Sequence, residues 1–273
     1  MIGKISRAWR LAAMLALAAC AWLLPTAHAA GCDGIADYQP VVSGAASSAH
    51  QVVPLVIHIM ERPGHTCEVR NSWTAKQVAT VFGPDTGDDK SVSSVWGGTD
   101  IRFEIREIHV HEFEPPAALV DSQQRIKVPT TSAVGDQAYE AAFAKVETFH
   151  RDGSVNIYLW RRLGGQPIGF GRSTRSGNGK ASIFLDVRCG QQSLRTCATL
   201  ASHELGHTMG LYHAGANTCG AVSQEFHDLC VTLAAPCAEV KTAQRLMTLG
   251  ASGRGLCPKE ATEAKKQAGK DFK

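Results

Sequence analysis

The segment 203–213, His-Glu-Leu-Gly-His-Thr-Met-Gly-Leu-Tyr-His, constrains this chain more than any other stretch. His203 and His207 stand four apart, so on a helix both imidazoles leave one face and can share a metal ion. Glu204 lies one step round from His203, where it can reach a water on that metal without being a ligand. Gly210 follows three residues after His207; glycine accepts a positive φ and ends a helix sharply. The chain can then turn back and offer His213 as a third ligand. Three protein ligands leave a fourth position for water, which marks a catalytic rather than a closed structural zinc site. Zinc lowers the pKa of such a water toward about 7, and Glu204 is the expected base.

The ends of the chain place this motif in a compartment. Lys4, Arg7 and Arg10 precede an apolar run over 11–24, then Pro25 and Ala27-His28-Ala29. That is the layout of a secretory signal peptide cleaved after Ala29. The run is shorter than the roughly 20 apolar residues a membrane span needs. A second reading takes Leu17-Ala18-Ala19-Cys20 as a lipobox, with Cys20 acylated and the protein anchored there. Beyond the signal, 25 basic residues balance 25 acidic ones. Nothing in that balance draws the chain to nucleic acid or an anionic membrane surface. Eight cysteines remain once Cys20 is gone, an even number that suggests disulfides in an oxidising secreted or periplasmic setting. Cys189–Cys197 and Cys230–Cys237 are the expected local pairs.

Hydrophobic periodicity orders the rest. Residues 52–60 (VVPLVIHIM) read as a buried strand, with Pro54 near its start. Ser72 is a candidate cap for a helix from Trp73, carrying Val78, Ala79, Val81 and Phe82 on its apolar side. A short helix is expected at 92–96 before Gly97-Gly98. Ile101, Phe103, Ile105 and Ile108 give a near-alternating strand. Residues 112–135 read as an insertion loop, 138–149 as a helix, and 155–160 and 183–187 as strands. The glycines of 168–173 suit an edge strand. A helix is expected from about Ala198 to Met209. Strands and helices alternate early and a helical, cysteine-rich part follows. The fold class is therefore α+β: a mixed twisted sheet with the motif helix in an upper part, 51–210, and a smaller irregular, helical part, 211–273. Residues 30–50 form a lead-in.

The segment 203–213 resembles the zinc-binding consensus of the metzincin metallopeptidases, HExxHxxGxxH, with every fixed position filled. The resemblance implies a metzincin-like fold and a secreted zinc endopeptidase cleaving proteins or peptides. It also implies one zinc ion on His203, His207 and His213, Glu204 as the catalytic residue, and a methionine turn beneath the metal. Met247, in Arg245-Leu246-Met247-Thr248, suits that turn. Ile168, Gly169, Phe170 and Gly171 would form the edge strand that receives substrate. Leu249 stands where some groups carry a metal-reaching tyrosine, and Ala214 follows the third histidine. The subfamily stays open between a bacterial pappalysin-like and an unassigned branch. Two other functions stay open: a secreted zinc-retaining binding or toxin-like module, and an amidase acting on cell-wall peptides.

Three weaker features complete the reading. His109 and His111 share a strand face and read as solvent-exposed rather than as a second metal site. The loop Asp85-Thr86-Gly87-Asp88-Asp89 could attract calcium but lacks EF-hand spacing. The last fifteen residues, 259–273, read as a charged helix packed on its alanine face.

Overall fold

Residues 51–61 are apolar on both faces, the pattern of an inner strand covered from two sides. The computed structural model describes residues 50–61, 73–84, 87–122, 125–127, 137–160, 169–172, 181–186, 189, 193–215, 219, 224–248 and 253–272. The expected signal segment and nearly all of the lead-in lie outside these residues. Strand β1 (Gln51–Glu61) runs parallel to β2 (Ile101–Glu112) on one side and to β3 (Val155–Trp160) on the other. Strand β3 runs parallel to β5 (Ser182–Asp186), and β4 (Gly169–Arg172) pairs antiparallel with β5. The order is β2-β1-β3-β5-β4, so β1 and β3 are internal and β4 is an edge. Mixed with its helices, this sheet makes the class α+β.

Side-chain alternation divides the core in two. Leu55, Ile57 and Ile59 of β1, with Ile157, Leu159, Ile183 and Leu185, face the first layer. That layer holds α1 (Ala75–Phe82), α2 (Val92–Trp96) and α4 (Leu194–Thr208). Met60, Tyr158, Trp160 and Phe184 face the other way, against Phe143 and Val146 of α3 (Gln137–Val146). Helices α5 (Gln224–Ala234) and α6 (Pro258–Asp271) complete the chain. Leu233, Ala264 and Ala268 belong to the first core, and Gln51 Nε2 donates to the Phe272 carbonyl at 3.2 Å. The C-terminal helix is thus tied to the start of β1.

Several local expectations change. Helix α1 is capped by Thr74 rather than Ser72: its hydroxyl accepts from Gln77 N, and the Gln77 side chain answers at Thr74 N, a reciprocal capping box. Ser72 lies outside the described residues. Helix α4 begins at Leu194, four residues before Ala198, because Ser193 caps it by accepting from Thr196 N. The segment expected as a loop from 112 buries Leu119, Val120 and Ile126 in the second core, and Val120 bridges Ile126.

Cys189–Cys197 is a disulfide as expected, but Cys230 pairs with Cys219 and Cys237 with Cys257. Cys230 is buried on the inner side of α5, whereas Cys237 lies three residues past the helix end and is half-buried. Proximity in sequence favoured joining them; in space each meets a different cysteine. Among the described residues no helix is long and apolar enough to cross a membrane.

The break in alternation between Ile105 and Ile108 is a β-bulge. Leu55 pairs with Ile105 but Val56 pairs with Glu107, leaving Arg106 as the extra residue. Beyond it, side-chain parity reverses, and His109 and His111 come onto the face that carries His58 and Tyr158. They are half-buried there rather than solvent-exposed. His58 Nε2 lies 2.9 Å from Asn156 Oδ1, which also accepts from Arg151 N at 2.7 Å. The amide oxygen can only accept, so His58 carries its proton on Nε2. His58 Nδ1 then accepts from His111 Nε2 at 2.9 Å. Both rings continue into stacks, His58 on Tyr158 and His111 on Phe149.

Burial lowers the His58 pKa from 6.5 to about 3, opposed in part by the Asn156 bond. It lowers His111 to about 4, aided by the charges of His109 and Arg151. Both folded pKa values lie below the unfolded ones, so their contribution to stability is complete above about pH 6.5 and is lost as pH falls toward 4. The thermal unfolding temperature should therefore drop over pH 6.5 to 4, and His111→Phe should flatten that dependence. A pH profile unchanged by the substitution would remove His111 from the titration.

Candidate metal centre

Helix α4 carries His203, Glu204 and His207 on a stretch buried from Ala201 to Gly206. It ends as its sequence demands. Gly210 adopts φ +74°, its N–H donates to the His207 carbonyl at 2.9 Å, and Leu211 N donates to the Gly206 carbonyl at 2.9 Å. This is a Schellman ending with glycine at the left-handed position. The reversal carries His213 back over the helix. The three Nε2 atoms then stand 3.2 Å (His203–His207), 3.3 Å (His203–His213) and 3.1 Å (His207–His213) apart.

Backbone carbonyls decide the tautomers. His203 Nδ1 lies 2.7 Å from the Leu246 carbonyl, and His207 Nδ1 lies 2.9 Å from the Leu211 carbonyl. A carbonyl only accepts, so both imidazoles carry their proton on Nδ1 and leave a lone pair on Nε2. The 3.2 Å contact between those two Nε2 atoms therefore cannot be a hydrogen bond. Two lone pairs facing each other repel, and a cation placed between them removes the repulsion. Burial also keeps the rings neutral: it lowers His203 to about 4 and His207 to about 3, and it lowers His213 as well. Neutral imidazoles are the form that binds metal.

The floor of the site comes from a distant segment. Met247 is fully buried, and a Cβ placed at Gly206 would collide with its sulfur and come within 3.2 Å of its terminal methyl. A side chain at residue 206 would require the Met247 thioether to shift. Ala214 N donates to the Met247 carbonyl at 2.7 Å, which pins the segment after His213 to the same turn. Glu204 is 6 % exposed, directly after His203. Gly169, Phe170 and Gly171 lie in the edge strand β4, while Ile168 lies outside the described residues.

Residue patterns alone did not single out Gly206 or the carbonyls of Leu211 and Leu246. A glycine inside an apolar helix was a signal for the first. Carbonyls carry no residue-type signature, so the other two had none. Cys237, Glu239 and Cys257 also converge, but the two sulfurs are joined in a disulfide, leaving one carboxylate. The acidic loop is committed elsewhere. Asp88 pairs with Lys90 at 3.3 Å, and Asp89 reaches Arg195 at 2.9 Å and Arg254 at 2.6 Å. Asp85 lies outside the described residues.

Comparison with protein-family models and with curated proteins finds no match. Among solved structures, one described as "Structure of a chaperone-substrate complex" aligns over 64 % of this chain and 26 % of its own length. Its TM-score is 0.34 and its identity 16 %; at that level it supports no conclusion about this chain.

Two glycine substitutions separate the ending of the helix from its seat. Gly210→Ala should cost roughly 1 kcal/mol through its left-handed φ. Gly206→Ala should cost more, because the methionine beneath must move. Denaturant unfolding of both variants checks the order, and equal costs would remove the Met247 contact as the reason for Gly206.

Proposed function

We propose that this chain is a secreted zinc-dependent endopeptidase of the metzincin type. One observation carries the reading: two imidazole lone pairs, of buried His203 and half-buried His207, face each other at 3.2 Å, with a third imidazole at 3.1–3.3 Å from both. Nitrogens bound to zinc at about 2.0–2.1 Å with tetrahedral angles lie about 3.3–3.4 Å apart, so the three donors suit that ion with almost no adjustment. The carbonyl partners of His203 and His207 are of the kind that orient metal-binding imidazoles.

His203, His207 and His213 would hold zinc through Nε2. When bound, the ion supplies a Lewis acid for the scissile carbonyl and acidifies a water molecule. Glu204 takes the proton from the attacking water as oxygen bonds to the carbonyl carbon. It then passes that proton to the departing amide nitrogen as the C–N bond breaks. Edge strand β4 offers backbone groups on its open side, and an extended peptide can add there as a further strand. Three disulfides in the described residues are compatible with an oxidising compartment. That agrees with the signal-like first 29 residues.

Purified protein spanning 30–273 should cleave a quenched peptide or casein and lose that activity with a chelator. Glu204→Ala should lower cleavage at least about a hundredfold while zinc content stays at one per chain. Undiminished cleavage by that variant would refute the role of Glu204. A folded wild-type protein that takes up no zinc would refute the metal centre.

A further inference from the structure

Arg245 and Glu260 are both 0 % exposed, and each is a charge that folding removed from water. Arg245 Nη2 lies 2.7 Å from Glu260 Oε1 and donates to the Leu233 carbonyl at 2.5 Å; Nη1 donates to the Ala235 carbonyl at 2.9 Å. Glu260 uses its other oxygen to accept from Cys257 N at 2.8 Å. One ion pair thus joins three segments: the end of α5, the start of α6 and the turn 245–248.

That turn is where the pair reaches the metal centre. The next residue, Leu246, presents the carbonyl that fixes His203, and the one after, Met247, seats Gly206. Leu246 N is itself held by the Gly255 carbonyl at 2.6 Å. The backbone on either side of the His203 contact is therefore anchored by α5, α6 and the segment between them.

A buried ion pair is a poor source of net stability, because desolvation consumes most of what the attraction returns. Its use lies in geometry: the planar guanidinium donates in fixed directions, here to Glu260 Oε1 and to the Leu233 and Ala235 carbonyls at once. We propose that Arg245 and Glu260 are positioning residues for the metal centre. They hold the Leu246 carbonyl and Met247 in the register that aims His203 Nε2 at the metal. The C-terminal helix, far from the motif in sequence, is thereby part of the metal-binding apparatus. The inference rests on the zinc reading above.

The test uses zinc alone as probe, titrated into metal-free protein (30–273) against a chromophoric chelator. Thermal unfolding is followed in parallel, and the cobalt-loaded protein gives a visible spectrum sensitive to ligand geometry. Glu260→Asp keeps the charge but shortens its reach, and should weaken zinc binding about 10- to 100-fold and shift the cobalt bands. The double variant Arg245→Met/Glu260→Leu removes both charges at similar volume, so it should stay folded yet show the same loss. Lys266→Ala, on the exposed side of α6, should change neither readout. If Glu260→Asp lowers only the unfolding temperature, with wild-type zinc affinity and cobalt spectrum, the pair is structural and the proposal is overturned. That outcome stands whether or not the double variant folds. Wild-type protein without zinc affinity would instead sink the metal centre itself, and this inference with it.

Discussion

The two carbonyl bonds to His203 Nδ1 and His207 Nδ1 are the constraint on which the centre depends. By fixing both protons on the outer nitrogens, they leave two lone pairs facing each other at 3.2 Å in a partly buried place. Such an arrangement is one a cation stabilises, and it must be held by structure that cannot relax. Each carbonyl sits accordingly in a rigid setting. Leu211 belongs to the glycine-terminated end of α4, and Leu246 to a turn fastened on both sides.

The two settings differ in range. The Leu211 contact is local: four residues from His207, produced by one positive φ at Gly210. The Leu246 contact spans 43 residues and needs the turn 245–248 to be delivered from elsewhere. Delivery is shared by Met247 under Gly206, Ala214 paired with Met247, and the Arg245–Glu260 pair behind them. The same first core runs from β1 through α4 to Met247 and α6, so the sheet and the C-terminal helix meet the centre through continuous packing.

The opposite face of the sheet shows how one extra residue changes what neighbours see. Without the bulge at Arg106, His109 and His111 would point to the opposite face of the sheet, the side of the first core. With it they join the face of His58, Asn156 and Tyr158, where His111 meets His58 Nδ1. The interruption between Ile105 and Ile108 was visible in the pattern. Its consequence was not, because the partner His58 comes from a strand some fifty residues earlier.

The sequence by itself determined the elements close to the motif. The 3.6-residue period places His203 and His207 on one side, glycine at 210 ends the helix, the apolar run at 52–60 reads as a buried strand, and 155–160 reads as another strand. These depend on local sterics and burial, which residue type encodes directly. Tertiary structure alone decided what lies far apart in the chain. The Leu246 carbonyl, the fit of Met247 against Gly206, the Cys219–Cys230 and Cys237–Cys257 pairings and the Arg245–Glu260 pair all depend on distance in space. A backbone carbonyl looks the same in every residue, and a disulfide or ion pair follows from which residues meet in space rather than from sequence spacing. The three histidines could be read as partners from their spacing; what turns them toward one point could not.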